Sequence, residues 1–234
     1  MSDLRVFADP RDAAEHCAAQ ILQYLDESPR STLAISGGSS PRTMFEIFAA
    51  TQFDWNRVQL FWVDERCVPP DDAQSNFKLA NDSWLKPAKF PASNIHRVQT
   101  ERDPEDAAEI YADELRLVFG EGIPQFDVIH RGMGPDAHTA SLFPGEPLID
   151  DRTGLAAAVY VEKLNSRRVT LLPAVLLAAK HTVMLVAGAD KAQPLWDVLY
   201  GPHDPKKFPC QLTERDGGDV AWYLDQAAAA KIRK

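Results

Sequence analysis

His138 stands among groups that could serve it. Within FDVIHRGMGPDAHTASLFP, residues 126–144, Asp136 lies two places before it and Thr139 and Ser141 follow. An imidazole with a carboxylate close by is suited to taking and returning a proton near neutral pH. Gly132 and Gly134 precede it, and glycine accepts backbone angles that other residues resist, so the chain can turn sharply there. Three further stretches set polar groups just after an apolar run. Ser36-Gly37-Gly38-Ser39-Ser40 leaves backbone N–H groups open to an anion, or forms a serine-capped turn. Asp64-Glu65-Arg66 ends the run VQLFWV with two carboxylates and a guanidinium, which face either a ligand or solvent as a rim of ion pairs. Arg168, and Lys191 just past Gly188, offer cations to a phosphate or point outward.

Other chemistries find less support. His16, His96, His130, His181 and His203 share no metal-ligand spacing, and no HExxH occurs. Cys17, Cys67 and Cys210 form no CxxC pair, so neither a zinc knuckle nor a disulfide framework is indicated. Cys67 has no neighbour that marks it as a nucleophile and reads as a packed thiol. Gly132-Met133-Gly134-Pro135-Asp136-Ala137 matches the loose dinucleotide fingerprint, but it lies mid-chain, Pro135 interrupts the turn, and no second strand ends in an acid at the expected distance. Neither a GxSxG elbow nor a phosphate-cradling GxxxxGK[ST] loop is present.

The elements that must position these groups alternate between strand and helix. Residues 9–25 read as a helix, with Asp9 to cap it and Pro10 at its first position. Further helices are expected at 43–50, 75–85, 104–119, 191–199 and, rich in alanine, 225–232. Apolar or β-branched runs at 32–35, 58–63, 126–129, 155–161 and 182–186 read as strands, and 169–179 as a short strand leading to a helix near Pro173. Such alternation implies an α/β, Rossmann-like, mostly parallel sheet with helices on both faces. One domain over residues 1–234 is expected, with a small excursion around 145–165 and a loop-rich stretch at 203–219. In such sheets the sites lie at the carboxyl ends of the strands, where all four polar stretches fall.

Length and composition agree with that architecture. The chain has 234 residues, 45% hydrophobic and 25% charged, with a formal net charge of −9. That charge argues against nucleic acid or an anionic membrane as the main partner, while local Arg and Lys leave an anionic metabolite open. The N-terminal MSDLRVFADP has no apolar signal region, and no apolar run is long enough to span a bilayer. A reduced, cytoplasmic setting is expected.

Taken together, LAISGGSSP (33–41), VDERCVP (63–69) with QSNF (74–77), GMGPDAHTASLFPG (132–145), RVTLL (168–172) and LVAGADKA (185–192) resemble the 6-phosphogluconolactonase family, in its order and across most of the chain. The resemblance implies a fold shared with glucosamine-6-phosphate deaminase and ribose-5-phosphate isomerase. It implies hydrolysis of 6-phospho-D-glucono-1,5-lactone in the oxidative pentose phosphate pathway without metal or cofactor. The partner would be the phosphorylated sugar lactone, with the chain a monomer or small homo-oligomer. His138 matches the family's general base. Gly37, Gly38, Ser39 and Ser40 match its first sugar-phosphate loop, and Asp64 and Arg66 its polar strand end. Ser75, Asn76 and Gly134 join the substrate-binding set, and Arg168 and Lys191 match the cations near the phosphate. Arg66 is the first choice to meet the developing oxyanion; Asp136 and Asp64 both remain open as the carboxylate that orients His138. Three departures stand out. Ala137 replaces a usual glycine, so a positive φ there would strain it. His130-Arg131 replace apolar residues, and Arg131 is expected to meet phosphate or solvent. Lys163-Leu164-Asn165-Ser166 replace a proline-rich run. An amino-sugar-phosphate deaminase or isomerase of the same fold is the nearest rival reading, followed by a non-catalytic sugar-phosphate sensor and, more distantly, a dinucleotide oxidoreductase.

Overall fold

The computed structural model describes residues 3–38, 40–213 and 219–232. Its elements run β1 (Asp3–Phe7), α1 (Pro10–Asp26), β2 (Ser31–Ile35), α2 (Pro41–Ala50), β3 (Val58–Trp62), β4 (Asp64–Arg66), α3 (Asn76–Ala80), β5 (Ile95–His96), α4 (Pro104–Phe119), β6 (Val128–Arg131), β7 (Ala156–Val161), β8 (Ser166–Leu171), α5 (Pro173–Ala178), β9 (His181–Val186), α6 (Ala192–Tyr200) and β10 (Asp219–Asp225). Local chemistry accounts for the helix ends. The Asp9 carboxylate accepts from the N–H groups of Arg11 and Asp12, both at 2.9 Å, and Pro10 needs no such partner. Asp103 and Pro104 start α4 in the same way, and Gly120, at φ 79°, ends it.

Seven strands form one parallel sheet in the order β1-β10-β9-β6-β2-β3-β5. Successive side chains of a strand face opposite ways, and both faces here are apolar. Leu33, Ile35, Val128, Val183 and Leu185 meet α1 and α2. Ala34, Phe61 and Ile129 meet α4, while Met184, Val186 and Trp222 meet α6. Full burial of each large apolar side chain contributes about 1.5–3 kcal/mol. From the centre, β2, β3 and β5 succeed outward one way and β6, β9 and β10 the other. The β2/β6 boundary is therefore the switch point where a crevice opens at the carboxyl edge.

Beside it lies a three-stranded antiparallel sheet, β4-β8-β7, which contains part of the expected excursion. The strand expected at 126–129 instead occupies Val128–Arg131: His130 and Arg131 pair with Val183 and Met184, and the His130 carbonyl accepts from the Ser36 N–H at 3.1 Å. Ladder bonding overrides the polarity of those two side chains. The helix expected at 225–232 is corrected too. β10 runs through Asp225, bonded on both sides by β9 and β1, and only a 3-10 turn, Ala228–Lys231, follows. β1 was not expected. The helix expected over 75–85 changes midway from α to a π turn, Asn81–Leu85.

Candidate active site

A cavity of about 310 Å³ opens at the switch point. The loop after β2 supplies Ser36, Gly37, Gly38 and Ser40 to its wall; Ser39, expected there too, lies outside the described residues. Asp64 and Arg66 come from β4, Gly134 and His138 from the loop after β6, Arg168 from β8 and Lys191 from the turn after β9. Asn76 reaches it from the start of α3, so close that a Cβ on Gly37 would sit 1.9 Å from its Oδ1.

The His138 loop is fastened on several sides. Gly134 N–H donates to the His138 carbonyl at 2.9 Å, and Ala137 N–H to the Gly134 carbonyl at 3.0 Å. Cys210 N–H donates to the Ala137 carbonyl at 2.9 Å, and the Thr139 hydroxyl to the Gly132 carbonyl at 3.1 Å. The Ser141 hydroxyl donates to Asp64 Oδ2 at 2.6 Å. Within this frame His138 Nδ1 meets Asp136 Oδ1 at 2.6 Å, and the ring stacks on Phe143 with centroids 4.0 Å apart. Of the two carboxylates left open by the sequence, Asp136 is the one that touches the imidazole. Asp64 is engaged by Ser141 and lies 3.7 Å from Arg168. Gly134 has no freedom to vary, because a Cβ would fall 2.0 Å from His138 Nδ1. Ala137 does stand at positive φ, 62°.

Burial pushes the His138 pKa down to about 4, helped by Arg168, Lys191 and Arg66 and opposed by Asp64. The Asp136 carboxylate on Nδ1 favours the imidazolium and opposes that shift. Either way the ring is neutral at pH 7, and Nε2 has no partner among the described residues. The cations around it keep donors free. Arg66 gives Nη1 to the Gln74 carbonyl at 2.5 Å, but among the described residues its Nε has no partner, nor has the Nε of Arg168. Lys191 pairs with Asp190 at 2.8 Å. Burial lowers the Arg168 pKa, as expected for a charge held ready for an anion.

Some expected residues take other places. Ser75 does not line the cavity: its hydroxyl caps α3 at Lys78 N–H and donates to Glu65 Oε2, both at 3.1 Å. Asp136 does not line the cavity either; it touches His138, which does. Arg131 meets neither phosphate nor solvent. It is 1% exposed, and its Nε and Nη1 have no partner among the described residues. Glu65, expected to face a ligand or a solvated rim of ion pairs, is instead a buried carboxylate that accepts from the N–H groups of Arg66, Asn76 and Phe77 at 2.7–2.8 Å and so ties β4 to α3. The signal was present in Ser75-Asn76, a helix start lacking an acid of its own. Among the described residues no three His, Cys, Asp or Glu side chains are placed to hold a metal ion.

Known proteins resemble this chain in sequence and in fold. Residues 8–222 match the family described as glucosamine-6-phosphate isomerases/6-phosphogluconolactonase. The chain belongs to that family. It is 34% identical over 218 residues to a 6-phosphogluconolactonase of Synechocystis, covering 92% of this chain and 90% of the relative. To that of Nostoc it is 36% identical over 220 residues, covering 91% and 90%. The 6-phosphogluconolactonase of Thermotoga maritima superposes with a TM-score of 0.84 at 28% identity, over 96% of this chain and 100% of that one. A monomeric glucosamine-6-phosphate deaminase, at 18% identity and a TM-score of 0.85, shares the fold. No helix among the described residues is long and apolar enough to cross a membrane.

Proposed function

We propose that this chain hydrolyses 6-phospho-D-glucono-1,5-lactone to 6-phospho-D-gluconate, the lactone-opening step of the oxidative pentose phosphate pathway, with His138 as general base. The observation that carries the reading is one imidazole held at Nδ1 by Asp136, without a partner at Nε2 among the described residues, in a cavity walled by Arg66, Arg168 and Lys191. The relatives named 6-phosphogluconolactonase support the same substrate. A lactone is an activated ester, so water needs a base and a fixed carbonyl rather than a stronger nucleophile. Nε2 takes a proton as the water oxygen bonds to C1. Negative charge then grows on the carbonyl oxygen, where the Arg66 guanidinium meets it. When the C1–ring oxygen bond breaks, Nε2 returns the proton to the departing oxygen. Arg168, Lys191 and the N–H groups of the Gly37-Gly38 turn hold the phosphate, which fixes C1 relative to the imidazole. The cytoplasm suits the three free thiols, Cys17, Cys67 and Cys210.

The test is to generate the lactone in situ and follow acid release above spontaneous opening. His138→Ala should lower kcat by ~10²–10⁴-fold with KM little changed. Undiminished turnover in that variant would remove His138 from the mechanism.

A further inference from the structure

We propose that Lys163, at the tip of the β7–β8 hairpin, is a positioning residue that holds Asp136 and thereby sets the orientation and basicity of His138. The inference rests on the reading of His138 as the base. Asp136 has two oxygens with two occupations: Oδ1 meets His138 Nδ1 at 2.6 Å and Oδ2 is ion-paired with the Lys163 ammonium. Lys163 does not line the cavity, so it has no direct hold on the substrate there.

Its place is built by the hairpin. Val159 and Val161 on β7 pack with Phe143, the residue on which the His138 ring stacks. A short 3-10 turn, Glu162–Leu164, then carries Lys163 over the Phe143 ring, 4.5 Å from its centroid, and Asn165, at φ 44°, turns the chain into β8. The ammonium is thus fixed between an aromatic face and a carboxylate. A carboxylate gripped at one oxygen can swing about its χ2. Gripped at both, it keeps Oδ1 on Nδ1, and Nε2 stays aimed at the cavity. The groups facing His138 are Asp136 and Lys163 from its own loop and the hairpin, Asp64 and Arg66 from β4, Arg168 from β8 and Lys191 after β9. Lys163 tempers the one carboxylate that touches the ring. Its loss should therefore favour the imidazolium.

The experiment compares Lys163→Met, which keeps the aliphatic stem over Phe143, with Lys163→Arg, which keeps the charge. In Lys163→Met, kcat should fall roughly 10-fold with KM nearly unchanged, short of the ~10²-fold that an ångström of displacement can cost. The acid-side inflection of kcat/KM should move up by about half to one pH unit. Lys163→Arg should restore both. An inflection and kcat in Lys163→Met equal to those of the parent would overturn the proposal. So would a raised KM at constant kcat, which would make Lys163 a substrate ligand. His138→Ala, measured alongside, separates the two ideas: if it retains full turnover, the base assignment itself has failed, whatever Lys163 does.

Discussion

Ala137 holds the His138 loop in a conformation its side chain resists. At φ 62° its Cβ crowds the following carbonyl, which costs roughly 1–2 kcal/mol, whereas glycine adopts that angle freely. The strain persists because the neighbouring groups are all bonded: Ala137 N–H to Gly134, its carbonyl to Cys210, and His138 to Asp136. Ala137→Gly should therefore raise stability by about 0.5–1 kcal/mol after the entropy lost with glycine is subtracted, a rise in Tm of roughly 1–4 °C for a chain of this size. Turnover should stay close to the parent's. A lower Tm would mean that the loop tolerates alanine without cost. At this scale the sequence reveals identity better than contact. Each of His138, Arg66, Arg168 and Lys191 reads alone as well for a rim or surface group as for a ligand; their gathering at one cavity was legible only from the family resemblance of the stretches that carry them. The choice between Asp136 and Asp64 was not legible, since it depends on the turn that folds Asp136 back onto Nδ1. The bond from Ser75 to Glu65 forms only when β4 and α3 come together, and Lys163, named as a departure from the family pattern, meets Asp136 only through the hairpin, so neither contact shows in the sequence.

At the scale of elements, Glu65 does for β4 and α3 what the Ala137 turn does for His138. Its carboxylate accepts from three backbone N–H groups and the Ser75 hydroxyl while 2% exposed. Burial raises its pKa, and the three N–H donors oppose the shift. Glu65→Gln would turn one acceptor into a donor facing other donors, at a cost of about 2 kcal/mol. Urea unfolding should show a lower midpoint at unchanged m. KM should rise as well, because Asn76 and Arg66 are held through the same carboxylate. An unaltered midpoint would mean that the N–H groups find other partners. Elements whose evidence is local were legible in the sequence: α1 and α4 from capping residues and helical spacing, β2, β3 and β9 from apolar runs. Elements that exist through pairing were not. β1 closes an edge only because β10 lies beside it, and β10 was hidden behind the alanines of its following turn. β4 is three polar residues made into a strand by β8.

Across the whole molecule, the buried titratable groups on and after β6 give stability a direction in pH. His130 is 1% exposed, neither ring nitrogen has a partner among the described residues, and burial pushes its pKa down to about 3. His138 is held at about 4 by burial and the surrounding cations. In the unfolded chain both rings would titrate near 6.5. Between those values and about 6.5 the unfolded state binds protons that the folded state refuses. Stability is then full above about pH 7 and falls as pH drops toward 4, at up to about 1.4 kcal/mol per pH unit for each ring. Arg131, buried alongside and lowered to about 10, stays charged throughout that range and adds nothing to the slope. His130→Leu isolates one ring. No hydrogen bond is lost, so stability near pH 7.5 should hold or rise. Between about pH 5 and 6.5 the slope of unfolding free energy against pH should shrink by as much as one histidine's share. Urea midpoints measured across that range decide it: an unchanged slope would show that His130 takes up its proton in the folded chain as readily as in the unfolded one.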